Sequence, residues 1–276
     1  MFKGLYTATS GMLAQQRKTE ILTNNMANVN TPGYKGEQTS IRSFPEMLLS
    51  AIDDTNVPTQ KGLNFNQYQP IGTLSTGIYL QETMPDFTQG NVYETNFNTD
   101  IALINGNMPT DGDTTSTIFF RLAHPDGGEA YTRNGNFTLD GQGYLVTADG
   151  YYVLSETGDR ILLPNEEFQV AENGNIYVNN QQVATLGVAF AQNPNELVKQ
   201  DNGLFRTQDG GALPSAYAQA GVTFALKQNF LEGSNVDPAQ AMTELLTAYR
   251  AFEANQKVLQ AYDRTMDKAV NEIGKV

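Results

Sequence analysis

Cysteine and tryptophan are absent from the 276-residue chain, and histidine occurs once, at His124. Lack of cysteine excludes disulfides, thiol nucleophiles and cysteine metal sites. His124 is followed at once by Pro125 in a stretch that reads as loop, so it is expected to be a solvated side chain, and a Ser–His arrangement has nothing else to draw on. No run of 18 apolar residues occurs, which leaves no candidate membrane-spanning helix. Residues 1–7 lack the apolar core and small-residue cleavage site of a secretory signal, so any export is expected to take another route. No phosphate-cradling glycine loop with a lysine is present, and Asp111-Gly112-Asp113 lacks the further ligands of a calcium loop. The paired carboxylates Glu166-Glu167 and Asp53-Asp54 are neighbours in sequence, and neighbours on a strand or helix point apart. The expectation is a protein without catalytic residues, cofactor or metal.

Two long amphipathic stretches bracket the chain. Near the C-terminus, Met242, Leu245, Tyr249, Phe252, Gln256, Leu259, Asp263, Met266, Val270 and Ile273 alternate by three and four, a heptad seam with polar breaks at Gln256 and Asp263. Asp237 is a good N-cap, Pro238 suits the first helical position, and no further Gly or Pro follows until Gly274. Such a helix would be roughly 55 Å long, and it cannot bury its stripe alone. At the other end Leu5, Ala8, Met12, Gln15, Thr19, Leu22, Met26 and Val29 repeat the alternation, predicting a helix over 3–29. The pair either covers one side of an ordinary domain or forms a coiled coil packed against copies of itself.

The net charge is −13, unevenly placed. Residues 1–36 carry +3 and residues 237–276 carry −1, leaving −15 for the middle. An acidic middle argues against nucleic acid and membrane partners, and near-neutral ends suit close packing of like copies.

Between the ends, residues 43–52 read as a short helix with Phe44, Leu48 and Ile52 on its apolar face, residues 53–70 as an extended or mobile segment, and residues 73–100 as short strands. From 101 to 230, Asn-Gly or Asp-Gly pairs at 105, 134, 140, 149, 173 and 202 separate alternating apolar runs, predicting successive hairpins. The fold class is therefore α+β: long N- and C-terminal helices in a coiled-coil-like pair around a mainly antiparallel β middle. The expected division is 1–36 with 231–276 as a helical assembly domain, 37–100 as an extended segment, and 101–230 as the β domain.

The first helix ends in Asn24-Asn25-Met26-Ala27-Asn28-Val29-Asn30-Thr31-Pro32-Gly33-Tyr34-Lys35. Its carboxamides read either as a frayed helix end or as a polar seam between subunits. With Ser10-Gly11-Met12, this passage resembles the N-terminal signature of bacterial flagellar rod and hook (axial) proteins. Leu231-Glu232-Gly233-Ser234-Asn235-Val236-Asp237 resembles the signature at that family's other end. Phe87-Thr88-Gln89-Gly90-Asn91, Leu103-Ile104-Asn105-Gly106 and Tyr131-Thr132-Arg133-Asn134-Gly135-Asn136-Phe137 resemble internal blocks of the family, so the likeness spans nearly the whole chain. Residues 107–113 depart from it, and a longer loop is expected there.

The resemblance implies a structural subunit of the basal-body rod, most like a distal-rod type, stacking helically into the axial shaft that transmits torque and houses the export channel. A hook or rod–hook junction subunit is the alternative, and a surface adhesin with a coiled-coil stalk is a more distant one. Implied partners are copies of the chain, related axial proteins and the flagellar export apparatus, with location in the basal body after export without a cleaved signal. The residues expected to carry assembly are Leu5, Met12, Leu22, Asn24, Asn25, Asn28, Asn30, Pro32, Gly33, Ser234, Asn235, Val236, Met242, Leu245, Tyr249, Phe252, Leu259 and Met266.

Overall fold

The computed structural model describes residues 2–57, 63–111, 114–200 and 202–273. The chain forms two compact units, one of Met1–Asn24, Gln38–Met84 and Ala239–Val276, the other of Asn25–Glu37 and Pro85–Pro238. We call them the helical unit and the β unit. Together they are an α+β protein with a helix near each end and a mainly antiparallel β middle.

The helical unit takes most of α1 (Phe2–Ala27) and α2 (Pro238–Lys268), the latter continued by a π-helical turn at Ala269–Ile273. At about 1.5 Å per residue the α-helical part of α2 is about 46 Å long. After α1 come β1 (Glu37–Ser43), β2 (Met47–Val57), β3 (Leu63–Leu74) and β4 (Ile78–Pro85); β1 pairs with β4. β2 and β3 form a long antiparallel ribbon from Met47↔Leu74 to Val57↔Leu63.

This ribbon corrects one expectation and gives form to another. The short helix over 43–52 does not form, because Pro45 disfavours α geometry at Phe44 and the backbone from Met47 onward finds its hydrogen bonds in β3. The segment 53–70 is extended, as expected, where it is described: 53–57 and 63–70 are paired strands, while 58–62 lie outside the described residues.

The β unit contains β5 (Val92–Glu94), β6 (Ile101–Asn105), β7 (Thr110–Asp111), β8 (Thr114–Thr115), β9 (Thr117–Ala123), β10 (Glu129–Thr132), β11 (Phe137–Leu139), β12 (Leu145–Thr147) and β13 (Tyr152–Val153). It continues with β14 (Gln169–Val170), β15 (Asn175–Val178), β16 (Gln181–Thr185), β17 (Val188–Ala191), β18 (Leu197–Lys199), β19 (Phe205–Thr207), β20 (Phe224–Gln228) and β21 (Phe230–Glu232). The main sheet runs β11-β12-β13-β9-β10-β19-β18, with β17 also on β9. Smaller sheets pair β14-β15-β16, β6 with β20, and β5 with β21.

β9 carries large apolar side chains on both faces because both are covered. Ile118, Phe120 and Leu122 enter the larger core with Ile101, Leu103, Phe137, Leu145 and Val188. Phe119 enters a smaller one with Tyr131, Ala189, Leu197 and Phe205. Phe120 meets Phe137 edge-on at 5.0 Å between ring centroids. The expected loop after Asn105 carries the small β7–β8 hairpin, whose residues 112–113 lie outside the described ones.

Four of the six Gly-containing dipeptides, at 140, 149, 173 and 202, join paired strands as expected. The other two do not. Ile101 donates its amide to the Gly135 carbonyl, and a Cβ on Gly135 would overlap the Ile101 carbonyl oxygen, so this glycine supplies room rather than a turn. Gly106 has the same role against Thr223.

The charge divides by unit. The helical unit has ten basic and ten acidic residues; the β unit has seven and twenty, and so carries the whole −13. All seven of its cations are engaged within the unit. Lys35 and Arg133 meet Glu232, Arg121 meets Glu129, Lys199 meets Glu37, and Arg206 donates to the Gly127 carbonyl. Arg160 lies over Tyr152, and Lys227 over Phe230.

Candidate functional site

Three of the stretches that resemble family blocks meet inside the β unit through one charged side chain each. Strand β21 delivers Glu232, the turn after β10 delivers Arg133, and the loop after α1 delivers Lys35. All three are buried. The Glu232 Oε1 accepts from Lys35 Nζ at 2.7 Å and from the Gly90 amide at 3.0 Å. Its Oε2 accepts from Arg133 Nε at 2.8 Å and lies 2.6 Å from Nη2. Four donors thus fill the four lone-pair positions of one carboxylate. The remaining Arg133 donors go to Asn105 Oδ1, the Ile118 carbonyl and the Leu103 carbonyl, so all five guanidinium N–H groups are used. Lys35 also donates to the Thr88 carbonyl at 2.6 Å.

Burial pushes the Lys35 ammonium below its usual range, and Arg133 adds to that, while Glu232 opposes both. Burial likewise lowers Arg133. For Glu232 burial alone would raise the carboxyl, but Arg133 and Lys35 together outweigh it and hold the group below the ordinary carboxylate range. The Glu232 carboxyl is therefore ionised at neutral pH, held between the Lys35 and Arg133 side chains at ion-pair distance, and Asp86 is a further influence that raises Lys35.

Around it the backbone is stitched to the same residues. The Gly33 amide donates to the Glu232 carbonyl at 2.7 Å, and the Gly36 amide to Asn235 Oδ1 at 2.8 Å. Asn235 Nδ2 donates to the Asp86 carbonyl. Gly33 has φ +68° and sits where a Cβ would overlap the backbone of Arg133 and Asn134. Two separate constraints therefore require glycine there. Asn25 is buried: its Nδ2 donates to the Glu37 carbonyl, and its Oδ1 accepts from the Glu37 amide and from the Tyr34 hydroxyl. Burial, helped by Glu37, raises Tyr34 to about 12.

The predicted assembly residues divide accordingly. Asn25, Gly33 and Asn235 belong to this internal clasp. Pro32, Ser234 and Val236 are partly buried beside it, and the Val236 amide bonds Ser234 Oγ. Asn28 is partly buried and accepts from the Thr31 hydroxyl, whereas Asn24 and Asn30 are exposed.

On the helices, Leu5 and Met12 are partly buried and Leu22 is buried. On α2 and into the turn that follows it, the covered row is Ala241, Leu245, Ala248, Phe252, Asn255, Leu259, Tyr262, Met266 and Ala269. Leu245, Phe252, Leu259 and Met266 lie where expected, but the other half of the seam is shifted by one residue. Ala241 and Ala248 are buried, whereas Met242 and Tyr249 are 50% and 51% exposed. Small residues also line α1 where α2 approaches it. Gly11 faces Asn255, and a Cβ on Gly4 would overlap Tyr262, so the two helices run antiparallel at these points.

Lys35, Arg133 and Glu232 lie inside blocks that the sequence marks out, but the sequence alone assigns them no role. The signal available was their isolation. Lys35 and Arg133 are the single charges of their blocks, and Glu232 is the only charge of its block before the helix cap at Asp237. Lys35 and Glu232 are both committed to ion pairs, and among the described residues no group of three or more His, Asp or Glu is placed to hold a metal. The arrangement can hold chain segments together.

Comparison with known proteins agrees with these landmarks. The family model described as Flagella basal body rod protein matches residues 5–35, that of the Flagellar hook protein FlgE/F/G D1 domain matches 116–178, and that of the Flagellar basal body rod FlgEFG protein C-terminal matches 227–272. The flagellar hook-basal body complex protein FlhO of Bacillus subtilis is 45% identical over 278 residues, covering 100% of both chains. The flagellar basal-body rod proteins FlgG of Bacillus subtilis and Borreliella burgdorferi are each 32% identical, covering 98% of this chain and 99% and 98% of theirs. The chain belongs to the family of flagellar basal-body rod and hook-basal body complex proteins, structural components of the flagellar axis.

Proposed function

We propose that the chain is a rod subunit of the distal type that polymerises helically into the axial shaft, transmits torque and surrounds the export channel. Its partners are copies of itself and neighbouring axial proteins, and it reaches them unfolded through the flagellar export apparatus. The segments 1–36 and 231–276 serve assembly, with α1 and α2 in a coiled-coil-like arrangement completed by other subunits.

The observation that carries this reading is the set of exposed apolar side chains on both helices of the helical unit. Tyr6 and Leu13 on α1 and Met242, Leu246 and Tyr249 on α2 point outward, while several of the positions covered within the chain are small. Met242, Leu246 and Tyr249 lie on one side of α2 at helical spacing. An open helical array needs two different faces per subunit, and this face and the neutral charge of its unit suit such contacts. The 45% identity to a hook-basal body complex protein favours a second placement, at the junction of rod and hook.

The test is a strain lacking this gene, complemented with wild type, with Leu246→Asp or with Tyr249→Asp. Loss of swimming with shortened basal bodies, restored by wild type and by neither variant, is expected. Normal flagella in the deletion strain would refute the assignment.

A further inference from the structure

The clasp around Glu232 is held largely by polar bonds, although Tyr34 and Leu231 are also buried. No side chain of residues 25–37 belongs to either apolar core of the β unit, and neither does any side chain of β21. The loop is held by polar bonds that converge on two late residues, Glu232 and Asn235. Further attachments do not involve those two residues: the Asp86 amide donates to the Gly36 carbonyl, Lys35 donates to the Thr88 carbonyl, and Lys199 meets Glu37 at 2.7 Å and lies over the Tyr34 ring at 4.5 Å. The Glu37–Lys199 pair is partly exposed and contributes little.

Arg133 is already positioned by the sheet, through the carbonyls of Leu103 and Ile118. Without Glu232, Lys35 would bring a second cation into a buried space beside it, and the two repel. The Lys35 cation therefore has no favourable buried site before β21 brings the Glu232 carboxylate.

We propose that the β unit closes in two stages: the sheet and its apolar cores form first, and arrival of the Glu232 carboxylate between two cations then locks the N-terminal loop as the last step. A chain delivered from its N-terminus would keep residues 25–37 undocked until residue 232 is available, which leaves the segment joining α1 to the β unit free in the meantime. This follows from the clasp alone and does not rest on the placement along the shaft.

The test is pulse-labelled hydrogen exchange during refolding of the full wild-type chain. Protection of the Gly33, Gly36 and Gly90 amides should lag that of amides in β9 and β10 by on the order of tenfold in time. Simultaneous or earlier protection would overturn the proposal. In native-state exchange of the full chain, Glu232→Gln should speed the same three amides by on the order of a hundredfold and leave β9 and β10 unchanged. Adding Lys35→Met to it should restore part of that protection, because one of the repelling cations is gone. No restoration would mean that only hydrogen bonds were lost and would refute the electrostatic trigger. Should Glu232→Gln fail to fold, the refolding order of the wild-type chain still decides.

Discussion

Arg133→Met is the sharpest probe of how the clasp is stabilised, because its effect can be set against Lys35→Met at the same carboxylate. Both remove one cation from Glu232 and leave the other, so the change in charge is the same for each. The hydrogen bonds are not. Without Arg133 the Ile118 carbonyl and Asn105 Oδ1 lose the donor they share, and Glu232 Oε2 loses both of its own. Each buried orphan costs about 1–3 kcal/mol, so Arg133→Met should cost about 3–5 kcal/mol. Without Lys35 the Thr88 carbonyl still receives Asn235 Nδ2, Glu232 Oε1 still receives the Gly90 amide, and a surplus buried cation has gone. That change should cost about 1–2 kcal/mol. With about 2–4 °C per kcal/mol for a unit of this size, thermal unfolding of the full chain at pH 7 should fall by roughly 6–20 °C for Arg133→Met and by roughly 2–8 °C for Lys35→Met. Circular dichroism on the β signal reads both. Equal shifts, or a larger one for Lys35→Met, would refute the reasoning.

Gly135→Ala should lower stability by about 3 kcal/mol or more, measured by denaturant unfolding, since the new methyl overlaps the Ile101 carbonyl. On α2, Ala248→Glu should disturb the isolated chain, with lower helicity, whereas Tyr249→Glu one position on should leave helicity unchanged and abolish assembly. Glu232 titrates below its ordinary value of 4.5 when folded, so its stabilisation is complete above that pH and is lost as pH falls below it. The acid limb of a stability–pH curve should flatten in Glu232→Gln. Tyr34 moves from 10.0 to about 12 on folding, so its share is present below pH 10 and lost between 10 and 12. Tyr34→Phe should remove that share of the alkaline loss.

The helices were legible because three-and-four spacing sustained over many turns matches the period of a helix and cannot match the period of two in a strand. The seam of α2 was harder to place. Rows beginning at 241 and 242 share Leu245, Phe252, Leu259 and Met266, and hydrophobicity alone prefers Met242 and Tyr249 to Ala241 and Ala248 as the other half. What decides is how closely the partner approaches, and Gly4 and Gly11 on α1 show that approach to be close. The β2–β3 ribbon was illegible for a different reason. A two-stranded ribbon needs no buried face, so Asn, Gln, Thr and Asp can occupy it without period-two alternation. The clasp left no local trace of its pairing, since its three charges come from blocks about 100 residues apart and no spacing rule links them.

The uneven charge of the two units gives the isoelectric point an unusual meaning. The sequence pI is about 4.4, but neutrality there is a cancellation. At that pH roughly half of the carboxyl groups have taken up protons, so the helical unit, with its basic and acidic groups in equal number, has become positive while the β unit remains negative. Each molecule is then a dipole rather than an uncharged particle, and neighbouring molecules attract through unlike units. Precipitates formed near pH 4.4 should therefore dissolve when salt is added, because screening weakens the attraction that made them.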